Sequence, residues 1–148
     1  MRVRGVAAAR GAGPVLAPKA APATAGSGIS GVVLAAGTAN AGVKVKGQGP
    51  TDVIVREVTI QPGGHTGWHY HPGQVVAVVK SGTLTRTLDD CSVEVSGAGS
   101  VVFEPGGRGD VHIGRNHGTE PVVLYVTYVL PKGSPLSVDV DPPACAPH

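Results

Sequence analysis

Aromatic residues are scarce in this chain: one Trp, one Phe and three Tyr among 148 residues. A core must therefore be assembled from Val, Leu, Ile and Ala, side chains that suit a tightly curved pleated sheet and a narrow interior. Helical periodicity is also missing. From residue 50 onward no window repeats apolar residues at helical spacing over the roughly 10 to 12 residues that a helix needs, so almost no helix is expected. Charge of one sign is not concentrated either. The net charge is +2, and the basic residues are scattered among Arg2 and Arg4, Lys44 and Lys46, and Arg108 and Arg115. No stripe exists to neutralise a phosphate backbone, which argues against a nucleic-acid partner. No run reaches the roughly 18 to 20 apolar residues needed to cross a bilayer, so a soluble domain without a membrane partner is expected.

Glycine and proline, by contrast, are abundant, at 23 and 13 residues. From residue 50 onward they cut Val-rich runs at Pro-Gly and Gly-Gly pairs, a strand-and-turn composition. Strands are expected at 31–36, 43–46, 51–61, 65–70, 74–80, 83–87, 92–95, 100–104, 111–114, 121–130 and 135–140. Short strands at this spacing predict an all-β sandwich or barrel, closed so that exposed edges are removed. The chain length fits a single domain.

Residues 1–28 are rich in Ala, Gly, Pro and Arg and carry no pattern of period 2 or 3.6, so they are excluded from the fold. Two readings compete for them. One is a disordered arm. The other is a weak signal peptide with a basic start at Arg2 and Arg4 and a small-residue cleavage triplet at Ala23, Thr24 and Ala25, interrupted by Arg10, Pro14, Pro18 and Lys19. Residues 29–148 then form the domain, with a cysteine-containing C-terminal tail. Its two cysteines, Cys91 and Cys145, match no zinc spacing of the C-x-x-C kind. A disulfide between them would tie the tail to the turn after Asp89 and Asp90, and such bridges belong to oxidising compartments. Secreted or periplasmic placement follows from that pairing. Two free thiols in a cytoplasmic protein are the alternative.

Chemistry concentrates between Gly63 and Gly73. On a strand, residues two apart share a face, so His69 and His71 project together with Cα atoms roughly 6.5 Å apart, a chelating pair. Trp68 and Tyr70 point the other way and are read as packing. A third histidine, His112, lies downstream between Gly99 and Asn116.

Both stretches resemble the cupin family. The first matches the pattern G-x5-H-x-H-x(3,4)-E-x6-G with Gly63, His69, His71 and Gly82 in register; the second matches G-x5-P-x-G-x2-H-x3-N with Gly99, Pro105, Gly107, His112 and Asn116. The resemblance implies a single cupin-type double-stranded β-helix, or jelly-roll, barrel whose mouth holds one divalent metal ion (Fe, Mn, Zn, Cu or Ni) on His69, His71 and His112. Two departures stand out. Residues 108–111 make a longer loop than the pattern has, and the family's metal-binding Glu is replaced by Val75. Gln74 lies beside it with the parity of an outward residue, so only a bulge at Pro72 and Gly73 would turn it toward the metal.

Three neutral imidazoles still make an acceptable site, one favouring a chelating, anionic small molecule. The resemblance thus implies a metal-binding small cupin and, if catalytic, a dioxygenase-type oxidoreductase; the catalytic residues stay unassigned. The alternative is a non-catalytic exported cupin that binds a small ligand or metal. A homodimer, paired through the Val-rich residues 31–36, is expected by analogy. His65 in the opening turn, solvent-facing His117 and the terminal His148 are not expected to ligate. Asn116 is read as bracing its turn, and Glu104, before Pro105, as a solvated rim residue. Val75 shares parity with His69 and His71 and should face the same cavity. Val75→Glu is therefore expected to add an oxygen ligand, so that added metal raises its melting temperature more than the wild type's.

Overall fold

A computed structural model describes residues 26–146. All nine strands lie in the compact unit that begins at Val32, and residues 26–31 of the preceding unit contain no strand. The interpretation of residues 1–28 as arm or signal falls almost wholly outside the described residues. No helix among the described residues is long and apolar enough to cross a membrane.

The strands are β1 (Thr51–Ile60), β2 (His69–Tyr70), β3 (Gln74–Ser81), β4 (Thr83–Leu88), β5 (Val93–Gly97), β6 (Val101–Glu104), β7 (His112–Arg115), β8 (Val122–Pro131) and β9 (Val138–Asp139). They form two antiparallel sheets with strand orders β1-β8-β3-β6 and β5-β4-β7-β2-β9, the jelly-roll arrangement expected. Strict alternation builds the interior. On β8 the buried residues are Val122, Leu124, Val126, Tyr128 and Leu130, and on β3 they are Val75, Ala77 and Val79. Together with Ile60, Leu84 and Val102 they make a core of aliphatic side chains and one tyrosine.

A second small cluster of Trp68, Ile113 and Ala146 has Val111 and Val140 packed against it, which gives Trp68 the packing role its parity indicated. The C-terminal tail is stitched to β2: β9 pairs His69 with Asp139, and the Val140 amide donates to the Trp68 carbonyl at 3.0 Å. Cys91 and Cys145 are bridged, with Cα atoms 6.2 Å apart, inside the usual range for a disulfide.

Two expected strands are not formed. Residues 31–36 are unpaired, with Val32 and Val33 84% and 81% exposed; without a partner face to bury them, β-propensity alone does not make a strand. Residues 43–46 are held instead by the Gln74 side chain. Its Nε2 donates to the Lys44 carbonyl at 3.1 Å and its Oε1 accepts from the Lys46 amide at 2.5 Å. Two other strands are shorter than expected. Residues 65–68 turn at Gly67, where φ is 77°, and only Val138–Asp139 pairs within 135–140.

The bridge predicts that intact protein is lighter by about 2 Da than reduced protein and that neither cysteine alkylates under denaturing, non-reducing conditions. Cys91→Ser should cost up to about 4 kcal/mol of unfolding free energy by loop-closure entropy. A pair that alkylates fully without reductant contradicts the assignment.

Candidate metal centre

Strand register brings the three histidines together. His69 lies directly opposite His112 in the β2–β7 pair, and His71, two residues on, shares the face of His69. Ring centroids are 4.6 Å apart for His69 and His112, 4.8 Å for His69 and His71, and 5.5 Å for His71 and His112. One ligand-capable atom from each lies within 4.8 Å of the others, and all three residues are buried. The two motif loops are clamped to each other beside them. Gly107 donates its amide to the His71 carbonyl at 2.7 Å, and Gly106 (φ 81°) approaches so closely that a Cβ there would sit 2.1 Å from the Gly73 oxygen. The extra residues of the second loop are absorbed by a turn, with Asp110 accepting from the Gly106 amide at 3.2 Å and donating its own amide to the Gly107 carbonyl at 3.0 Å.

Each ring is oriented by a backbone carbonyl. His69 Nδ1 donates to Gly67 O at 2.9 Å, His71 Nδ1 to Leu136 O at 2.6 Å, and His112 Nδ1 to Asp110 O at 2.8 Å. A carbonyl only accepts, so the proton of each neutral ring sits on Nδ1 and the lone pair on Nε2. These lone pairs converge: His69 Nε2 and His71 Nε2 are 3.2 Å apart. Such spacing is repulsive unless a proton or a metal ion lies between them. Outer carbonyls that fix the tautomer are the usual support of a histidine metal ligand, so the donor set fits a divalent ion.

Glu104 corrects the sequence reading. It is 7% exposed, not a rim residue, because β6 alternates and Glu104 shares the inward face of Val102. Its Oε2 lies 3.1 Å from His71 Nε2, and its Oε1 lies 3.2 Å from His112 Nε2 and 2.9 Å from Arg86 Nη1. Burial alone would push the Glu104 carboxyl up; hydrogen bonds from His112 and His71, and their charge, reverse this and hold it well below the usual carboxylate range. Burial likewise opposes protonation of His112, but the Glu104 carboxylate outweighs it and raises the imidazole. At His69 burial prevails and the imidazole is lowered.

Arg86, buried on β4, also pairs with Glu94 at 2.5 Å, while its Nε has no partner among the described residues. The signal for Arg86 was present in the sequence, since it has the parity of buried Leu84 in T-L-T-R-T-L. Tyr128 completes the polar end of the interior, its ring 5.6 Å from that of His71, and burial pushes its phenol up. Val75 faces this same cavity, as its parity required. The cavity has a volume of about 80 Å³ and is polar at the histidine end and lined by Ile60, Ala77, Leu84, Leu124 and Val126 beyond it.

The other polar residues singled out in the sequence lie apart from the three histidines or outside the described residues. Gln74 points away from the site toward residues 44–46. His65 is exposed and accepts the Gly67 amide at 3.1 Å, and His117 is exposed. His148 lies outside the described residues. Asn116 is buried and braces its turn, donating to the carbonyls of Ile60 and Glu120 at 2.9 and 2.8 Å and accepting from the Gly118 amide at 2.9 Å.

A family profile described as Cupin domain matches residues 56–128. The chain is a small member of the cupin superfamily. Its fold is similar to that of the polyketide cyclase RemF from Streptomyces resistomycificus, with 22% identity, a TM-score of 0.52 and 63% of each chain covered. It is also similar to the DMSP lyase DddQ from Ruegeria pomeroyi, with 20% identity, a TM-score of 0.52, and 61% of this chain and 44% of that one covered. A double-stranded β-helix protein from Klebsiella pneumoniae is 29% identical over 55% of this chain and 70% of its own, with a TM-score of 0.48. This cupin spans less than two thirds of the length of RemF and of DddQ, and at these identities the likeness is one of fold. No curated protein matches the chain in sequence.

Removing Arg86 should show how strongly the buried charges depend on it. Arg86→Leu strands Glu104 without its guanidinium and is expected to lower unfolding free energy by about 3 kcal/mol in urea titration. A loss below about 1 kcal/mol, the value of an exposed pair, contradicts the buried network.

Proposed function

We propose that this cupin binds one divalent metal ion through the Nε2 atoms of His69, His71 and His112 and presents it to a small molecule in the barrel cavity. The observation that carries this reading is the set of three Nδ1-to-carbonyl bonds, which turns three lone pairs toward one point. Fe, Mn, Zn, Cu and Ni all accept imidazole nitrogen. A bound ion supplies Lewis acidity, and iron or copper adds redox chemistry with dioxygen. The chain's own contribution is positional. The carbonyls of Gly67, Leu136 and Asp110 hold the rings, the aliphatic end of the cavity excludes water, and the Tyr128 ring walls the side beside His71.

A small, chelating, anionic molecule is the ligand class we favour, with a dioxygenase-type oxidoreductase as the activity. The neighbours, a cyclase and a lyase on one fold, illustrate why the fold alone does not choose the reaction. The small cavity favours a second reading, a non-catalytic cupin that holds metal or a small ligand. The Cys91–Cys145 bridge supports an oxidising compartment for either, secreted or periplasmic.

Tag-free protein from cultures supplemented separately with each of the five metals should carry about one ion per chain with at least one of them. His69→Ala, His71→Ala and His112→Ala should each lose most of it while remaining folded; His65→Ala and His117→Ala should keep it. Absence of metal under every supplementation, or identical behaviour of all five variants, contradicts the proposal. Oxygen uptake by the loaded protein with small carboxylic acids separates the enzyme from the binding module.

A further inference from the structure

The family's carboxylate ligand is replaced here by Val75, yet a carboxylate stands beside the histidines. Val75 and Glu104 are direct cross-strand partners in the β3–β6 pair, both buried and both facing the cavity. Side chains at such positions start only about 4.5 to 5.5 Å apart at Cβ, so a carboxylate on either strand can reach the same point. The Glu104 oxygens lie 3.1 and 3.2 Å from the Nε2 atoms of His71 and His112, the ring nitrogens that carry lone pairs when the rings are neutral.

We infer that Glu104 is the fourth protein ligand of the metal, the carboxylate having moved one rung across the sheet from β3 to β6. This inference rests on the three-histidine reading and adds to it. Charge supports it independently. Arg86 carries one positive charge but contacts two carboxylates, Glu104 and Glu94, so the group as a whole keeps one negative charge to offset a divalent ion. Glu94 is half exposed at 49% of its side chain, whereas Glu104 is 9% exposed, so water screens the outer carboxylate while the inner one faces the histidine cluster. A set of three imidazoles and one carboxylate adds a hard oxygen donor and shifts preference toward Mn(II) and Fe(II) relative to imidazole alone.

Glu104 also changes what Val75→Glu should do. With Glu104 in place, the single substitution sets two carboxylates side by side, which destabilises the protein and adds no affinity. Only in the exchanged variant Val75→Glu/Glu104→Val, which conserves composition, is a lone carboxylate restored at the other end of the same rung.

The test is a chelator-competition titration with Mn(II) and Zn(II), together with the visible spectrum of bound Co(II), on wild type, Glu104→Gln, Glu104→Val, the exchanged variant and His71→Ala. Glu104→Gln should weaken Mn(II) by about a hundredfold or more, beyond what an outer partner is worth, and Zn(II) by less. It should also shift the Co(II) bands, and the exchanged variant should recover both the Mn(II) affinity lost in Glu104→Val and the wild-type bands. Melting curves of each variant confirm that it is folded before titration. If His71→Ala loses metal while folded Glu104→Gln binds Mn(II) like wild type with an unchanged Co(II) spectrum, the inference is overturned and the three-histidine reading stands. If wild type binds none of the three ions, both fall.

Discussion

The carbonyl oxygens of Gly67, Leu136 and Asp110 accept the Nδ1 protons of His69, His71 and His112, and the chemistry of the barrel mouth follows from that. Each bond fixes a tautomer and leaves a lone pair on the inner nitrogen, with His69 and His71 Nε2 only 3.2 Å apart and the Glu104 carboxylate facing His71 and His112. Buried Nε2 lone pairs that face one another or a carboxylate are costly unless a proton, as in the hydrogen bonds to Glu104, or a metal ion lies between them. A cation between them converts that cost into attraction. The three carbonyls come from a turn, a loop and the C-terminal tail, so distant parts of the chain share in holding one point.

The tail is the least expected of these supports. Leu136 supplies the carbonyl that orients His71, β9 pairs with the strand carrying His69, and Cys145 is bonded to Cys91 in the turn between β4 and β5. A small all-β domain has a limited core, and a covalent tie gives its last segment a fixed course past the site. The same bridge fixes the tail that carries the Leu136 carbonyl beside His71. On the opposite sheet, the Val75 rung sets Tyr128 on one side and Glu104 on the other, so three neighbouring strands deliver their inward residues to one end of the cavity.

Much of this was legible in the sequence because period-2 alternation is a strong signal where one face is buried. It placed the long strands, put His69, His71 and Val75 on one face, and turned Gln74 and Trp68 away. It failed where burial was absent: residues 31–36 and 43–46 have strand composition but no face to cover. Glu104 was misread because a Glu before Pro105 at a strand end has the composition of a rim, although its parity with Val102 pointed inward. Arg86 carried the same parity signal within an alternating run, but the sequence shows no partner to make an inward arginine intelligible. A charged residue on an inward position makes sense only once its partner on another strand is known, and that pairing is a matter of register, which one sequence does not display.

Nitrogen-15 correlation spectra of the histidine rings, recorded before and after adding Zn(II), test the central claim most directly. The account predicts that the Nδ1 atoms of His69, His71 and His112 stay protonated throughout while their Nε2 resonances move to metal-bound positions at one equivalent of Zn(II), with His65 and His117 unchanged. Coordination through Nδ1, or three rings whose Nε2 resonances do not respond to Zn(II), would contradict it.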